Sequence, residues 1–182
     1  MRDISISHAK DILQYARHVL VIGCSGGGKT TLALNLAKRY KLPYQSLDGH
    51  VRWNPGWQRR DKREQRHIIQ ELVRQDRWIQ DGTGSSTADI RFPKADLIIW
   101  VRMPRWRCFW GLGKRLLFTC GRTRAGMPDH CPEKLPDREF LSYIWNFEKQ
   151  TAPFLTQRII NLGPNIPVVT ILNWRAAIDL QS

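Results

Sequence analysis

Residues 23 to 30 read Gly-Cys-Ser-Gly-Gly-Gly-Lys-Thr and fit the spacing Gly-x-x-x-x-Gly-Lys-Thr in full. Each residue type in that pattern has a physical use. Glycines let the backbone curl until successive N–H groups point inward at phosphate oxygens. A lysine at position 29 reaches the β- and γ-phosphates of a nucleoside triphosphate, and the Thr30 hydroxyl is an oxygen ligand for Mg2+. Gly23, Ser25, Gly26, Gly27, Gly28, Lys29, Thr30 and Thr31 are therefore the expected nucleotide-binding residues, with ATP as co-substrate and Mg2+ as cofactor. The plain alternative is a glycine-rich turn that a lysine follows by chance. Context argues against it, because the pattern lies between an apolar strand and an amphipathic helix.

Those flanking elements are legible. His18 to Ile22 is a short apolar, β-branched run that stops at Gly23 and reads as a buried strand. From Lys29 to Tyr40, Leu32, Ala33, Leu36, Ala37 and Tyr40 recur at spacings of three and four, which predicts a helix with one apolar face. Further strands are expected at Tyr44–Leu47, Arg77–Gln80, Leu97–Val101 and Val168–Leu172, and helices at 8–16, 61–75, from Pro104 to about 118, 137–161 with a bend at Pro153, and 174–180. Strands alternating with helices mean a five-stranded parallel sheet in a three-layer α/β/α domain spanning 1–182. Ligands of such sheets sit outside the carboxyl ends of the strands. Gly23, Asp48, Asp81 and Arg102 all follow strand ends and are expected to meet there. Trp78, Trp100 and Trp145 are expected inside.

Composition narrows the class. The chain has 182 residues, enough for one domain with a core and too few for two full ones. It carries 29 basic against 16 acidic residues, a net charge of +13, so its partners should be anionic. The basic surface leaves nucleic acid open as a partner, yet no helix-turn-helix, zinc finger or other reading motif points to it. The N-terminus lacks an apolar run after a basic start and so does not read as a secretory signal. No stretch is apolar enough to cross a membrane. The four cysteines, Cys24, Cys108, Cys120 and Cys131, show no paired metal-ligand spacing and no disulfide framework, so reduced thiols and a cytoplasmic location are expected.

Several stretches carry a family resemblance: GCSGGGKTTLA at 23–33, LDGHVRWNPGW at 47–57, WIQDG at 78–82, ADLIIWVRMPRW at 95–106, KRLLFTCGRTR at 114–124, CPEKL at 131–135 and FLSYIWNF at 140–147. Together they resemble the small P-loop kinases of the adenylate and shikimate kinase type. More closely, the chain is similar to the adenylate-kinase-like proteins of the FlaR type, often labelled DNA topology modulation proteins. The resemblance covers most of residues 18 to 160.

That resemblance implies roles. The acid after the third strand, Asp81 of Asp81-Gly82, would join Thr30 at Mg2+. Similar proteins continue Asp-Gly-Asn-Tyr, whereas this chain reads Asp81-Gly82-Thr83-Gly84. The fourth strand of similar proteins often ends in an acid, and here Arg102 stands instead. Asp48 would face the phosphoryl acceptor and position or deprotonate its hydroxyl, although an Asp-Gly pair is also a common turn. The acceptor segment, about 48–76, offers Asp48, Arg52, Trp53 and Trp57. A mobile lid, about 111–136, would bring Arg115, Arg122 and Arg124 over the triphosphate, where guanidinium groups match phosphate oxygens in pairs. Lys29, Asp48, Arg115, Arg122 and Arg124 form the expected catalytic set.

Two functions remain open at this level. One is a kinase moving the γ-phosphoryl group of ATP to a small, anionic acceptor such as a nucleotide. The other is a nucleic-acid-associated ATPase or regulator using the same nucleotide site. The sequence does not choose ATP over GTP, because base contacts are expected from Asn173, Trp174 and the lid.

Overall fold

The computed structural model describes all residues except Cys120, Arg124 and Ala125. Its strands are β1 (Arg2–Asp3), β2 (His18–Gly23), β3 (Tyr44–Ser46), β4 (Trp53–Asn54), β5 (Gln58–Arg59), β6 (Trp78–Asp81), β7 (Leu97–Val101) and β8 (Pro167–Ile171). Its α-helices are α1 (Ile6–Leu13), α2 (Lys29–Tyr40), α3 (Lys62–Val73), α4 (Ala88–Arg91), α5 (Arg105–Thr119), α6 (Arg138–Asn146), α7 (Ala152–Leu162) and α8 (Trp174–Gln181).

Six parallel strands form the main sheet in the order β1-β8-β7-β2-β6-β3. The expected number was five. The sixth is the two-residue strand Arg2–Asp3, which pairs with β8 at the sheet edge and is too short to show a period. The antiparallel pair β4 and β5 was also not foreseen. It is built from Trp53-Asn54 and Gln58-Arg59, inside what reads as a loop.

The central strands are apolar because both their faces are covered. Every residue of β7 is buried, as is every residue of β2 after His18. Helices α1, α2 and α8 pack together as one group, and α3, α4 and α7 as another, flanking the sheet. The single helix expected over 137–161 is two, α6 and α7, joined by a wide π-type turn at Phe147–Thr151 just ahead of Pro153.

The helix starts differ in a way that matters for the site. Asp61 accepts from the N–H groups of Arg63 and Glu64 at 2.6 and 3.0 Å, Asp137 from Phe140 at 2.7 Å, and Asn173 from Ala176 at 2.9 Å. These side chains satisfy the orphan donors of their helices. Helix α2 follows Gly28 and has no side-chain cap. Its first-turn donors and its positive dipole end are left for an anion.

Candidate active site

A cleft of about 900 Å3 opens at the carboxyl end of the sheet. Ser25, Gly26, Gly28, Lys29, Thr30 and Thr31 form one wall. Gly23 and Gly27 lie buried behind them. The Lys29 ammonium donates to the Cys24 carbonyl at 2.8 Å, so the side chain is curled back over its own loop with its charge at the uncapped helix start. Cys24 itself is buried, and its pKa is pushed up by a hydrogen bond with Cys108 and by burial. It therefore stays a thiol. The same bond lowers the pKa of Cys108.

Asp81 ends β6 in register with Val21 of β2 and Ser46 of β3. This places its carboxylate beside the start of α2. Thr30 donates its hydroxyl hydrogen to Asp81 Oδ2 at 2.5 Å, and Tyr44 donates to the same oxygen at 3.2 Å. Asp81 Oδ1 is buried and has no hydrogen-bond partner among the described residues. A buried carboxylate oxygen is costly to leave unmatched. An orphaned carboxylate oxygen next to a threonine hydroxyl is a donor set that fits a hard, oxygen-seeking divalent cation. Thr83 braces the phosphate loop. It donates to the Gly23 carbonyl at 2.8 Å and accepts from the Gly23 N–H at 3.2 Å.

Asp48, Arg52, Trp53 and Trp57 line the same cleft. Asp48 and Arg52 form an ion pair at 3.2 Å, four residues apart on the π-helical turn Leu47–Arg52. Trp53 meets Trp57 edge to face, with ring centroids 5.3 Å apart. Trp57 also faces the segment expected to be a lid. Its indole N–H donates to the Pro132 carbonyl at 2.9 Å, and its backbone N–H donates to the Cys131 sulfur at 3.3 Å. Lys134 lies over its ring at 5.5 Å. A Cβ built on Gly49 would stand 2.0 Å from the Gly126 carbonyl oxygen, so the two segments touch backbone to backbone there as well. Trp57 thus packs against residues 131–134 as well as forming a wall of the cleft.

Of the expected lid arginines, Arg115 lines the cleft and pairs with the buried Glu133 carboxylate at 2.8 Å. Arg122 is exposed and does not line the cleft, although its carbonyl accepts from the N–H of the lining residue Glu133. Arg124 lies outside the described residues. Arg102 does not join Asp48 and Asp81. It pairs with Glu148 at 2.5 Å and lies over the Trp100 ring, because the end of β7 turns away toward the π-type turn before α7. Trp145 is 55% exposed rather than internal, since it stands on the outer face of α6 beneath the Arg105 guanidinium. Trp78 and Trp100 are fully buried as expected.

The cleft also has aromatic walls that residue-by-residue reading missed in part. Trp110 and Phe118 of α5 line it, as does Trp174, which was anticipated for base contact. Trp110 and Phe118 belong to no motif with assigned chemistry. The signal that could have found them is the run of large rings, Trp106, Phe109, Trp110 and Phe118, interleaved with basic residues on one helix. Among the described residues there is no cluster of three or more His, Cys, Asp or Glu side chains suited to a metal. Cys24, Cys108 and Cys131 are free thiols. No described helix is long and apolar enough to cross a membrane.

No protein-family model and no curated protein matches the chain. Solved structures do. A shikimate kinase from Acinetobacter baumannii in complex with shikimate matches with a TM-score of 0.57 and 12% identity, over 94% of this chain and 92% of that one. A shikimate kinase from Bacteroides thetaiotaomicron matches with a TM-score of 0.54 and 16% identity, over 91% and 95%. At such identities the likeness shows the fold alone, a shikimate-kinase-like α/β P-loop fold.

Proposed function

We propose that the chain is an ATP-dependent small-molecule kinase that transfers the γ-phosphoryl group to a small anionic acceptor bearing a hydroxyl. One observation supports the reading: the Thr30–Asp81 pair, the Asp48–Arg52 pair and Arg115 all line a single cleft. Phosphoryl transfer needs that combination. The enzyme's work is to align donor and acceptor and to neutralise charge on the moving group.

In this reading the loop N–H groups and the α2 start hold the β- and γ-phosphates. Lys29 leaves the Cys24 carbonyl to meet them. Thr30 and Asp81 would hold Mg2+, which when bound would screen the phosphate charge. Asp48 accepts the hydrogen bond of the acceptor hydroxyl and either orients it or takes its proton. The acceptor oxygen then bonds to the γ-phosphorus as the bond to the bridging oxygen of ADP breaks. Arg52, beside Asp48, faces the anionic group of the acceptor, and Trp53 gives a flat apolar surface for its ring or chain. Arg115, together with Arg122 and Arg124 if the lid moves inward, neutralises the transferring group. Such a protein works where triphosphates are abundant, in the cytoplasm.

The net charge of +13 favours a second reading, a nucleic-acid-associated ATPase. The FlaR-type resemblance leans the same way but names a phenotype rather than a reaction. One assay separates the two. MgATP consumption and phosphoryl transfer are followed with nucleoside monophosphates, nucleosides and hydroxylated carboxylic acids, with and without DNA. Transfer to a small acceptor that is indifferent to DNA supports the kinase. Hydrolysis stimulated by DNA with no transfer to any acceptor rejects it. Lys29→Ala that still binds and turns over ATP normally rejects both.

A further inference from the structure

Arg91 is the largest charged side chain buried without a carboxylate bonded to it among the described residues. It closes the four-residue helix α4 and is 0% exposed. Its hydrogen bonds go to the loop that follows Asp81. Nη2 donates to the Gly82 carbonyl at 2.8 Å, and Nη1 donates to Thr83 and Gly84 at 3.2 and 3.5 Å. Nε donates to the Gln80 side-chain oxygen at 2.9 Å. Gln80 in turn donates to Gln45 at 2.8 Å, and Gln45 to Gln75 at 2.8 Å. A buried cation is expensive. Here its field is met by three successive backbone carbonyls and by Asp81, whose charge is the favourable electrostatic partner. Burial pushes its pKa down to about 9, so it is still protonated at neutral pH.

Those carbonyls curl the backbone between the two groups that touch the phosphate loop. Asp81, just before the curl, reaches Thr30, and Thr83, within it, clasps Gly23 by both its N–H and its carbonyl. We propose that Arg91 is a positioning residue for the metal-binding carboxylate: the Gly82–Gly84 loop is wound on its guanidinium so that Asp81 meets Thr30 and Thr83 braces Gly23. The claim rests on the kinase reading only through Asp81 and Thr30 as the magnesium pair. A lysine keeps the charge but has one nitrogen, which cannot hold Gln80 and the carbonyls of residues 82 to 84 at once.

The test is Arg91→Lys, with Thr83→Val as a milder variant on a partly exposed residue. ATP binding is followed by intrinsic tryptophan fluorescence at fixed ATP over a magnesium titration, and again without magnesium, well below each variant's melting temperature. Outer-shell losses of this kind cost about tenfold or more in metal affinity. The expected result for Arg91→Lys is a magnesium half-saturation raised about tenfold with magnesium-free ATP affinity within about twofold of the parent. Thr83→Val should shift in the same sense by a few fold. Parent-like magnesium dependence in folded Arg91→Lys overturns the proposal. So does an equal loss of ATP affinity with and without magnesium, which marks a merely structural residue. If Arg91→Lys does not fold, Thr83→Val decides alone: an unshifted midpoint overturns the proposal. A parent protein with no magnesium dependence at all overturns the kinase reading instead, so the two failures are told apart.

Discussion

The Thr30 hydroxyl lies 2.5 Å from Asp81 Oδ2, joining the first turn of α2 to the end of β6 across the sheet's carboxyl edge. The two residues are 51 positions apart in sequence. Parallel pairing of β2 with β6 brings them together, because Val21 stands opposite Asp81. The pair leaves Asp81 Oδ1 buried and unbonded, and the proposed cation site rests on that feature.

Asp81→Asn tests this directly. The amide keeps the shape and the Thr30 contact but removes the charge. MgATP turnover is expected to fall about a hundredfold, equal to about 2.7 kcal/mol of lost transition-state stabilisation. Affinity for magnesium-free ATP should stay within about threefold, since that step uses the loop and Lys29 and not the carboxylate. Turnover equal to the parent's in stopped-time assays would remove Asp81 from the metal site.

Gly28 is the second point of attack. Its φ is +86°, and a Cβ there would stand 2.4 and 2.9 Å from two outer ring carbons of Trp174. Left-handed backbone costs a non-glycine residue about 1–2 kcal/mol before any clash. Gly28→Ala should weaken ATP binding by about tenfold or more, measured by titration calorimetry. Trp174→Ala in the same chain relieves the clash but not the backbone strain. The double variant should therefore bind better than the sum of the two single losses predicts. Strict additivity would show that the ring does not sit over the loop.

Much of this arrangement was legible in the sequence. The loop, its strand and its helix were readable because glycine spacing and a 3.6-residue period act within a few positions. Asp48 and Asp81 were found as acids after strand ends, and they do line one cleft. The failures have physical causes. Arg102 also follows a strand, but Glu148, 46 residues away, takes its charge. Trp145 reads as core by type, yet α6 turns that position outward. Two-residue strands such as β1 and β4 have no period to read. Arg91 sits in a four-residue helix and reads as an ordinary surface cation, because nothing local reveals that a loop will be wound around it.

The helix that carries Arg91 is clamped from outside by an ion pair. Arg66 of α3 donates twice to Asp89 of α4, at 3.1 and 2.6 Å. The hydrogen bond from Arg66 holds the Asp89 carboxyl below its usual pKa. A depressed carboxylate stabilises the fold above its unfolded pKa, and that contribution is lost as pH falls through the lower folded value. Asp89→Asn should therefore lower the melting temperature slightly at neutral pH, with the difference from the parent shrinking and vanishing in strong acid. The effect is small because both side chains are more than a third exposed. A difference that stays constant from neutral pH into strong acid would exclude the ion pair as its source.

Trp57 bonds to Cys131 and Pro132 in the segment proposed as a lid, so the proposed opening of that lid can be measured there. Trp57→Phe keeps an aromatic ring beneath Lys134 but deletes the indole N–H that donates to Pro132. A neutral hydrogen bond of this kind contributes about 1 kcal/mol. If that bond is made only in the docked state, its loss raises the population of the undocked state about fivefold. Arg122 is exposed in the same segment and is a tryptic site. Under brief trypsin treatment, where cleavage follows the open population, nicking after residue 122 should rise by about the same factor. The melting temperature should fall by no more than about 2–4 °C, the shift that 1 kcal/mol sets in a chain of this size. Nicking at the parent rate would mean that Trp57 does not latch the lid, and nicking that rises together with a much larger drop in melting temperature would mean that the variant loosens the whole fold. Saturating MgATP with a productive acceptor should restore the parent's protection in Trp57→Phe, because Arg115 and its neighbours then gain a charged ligand across the same gap.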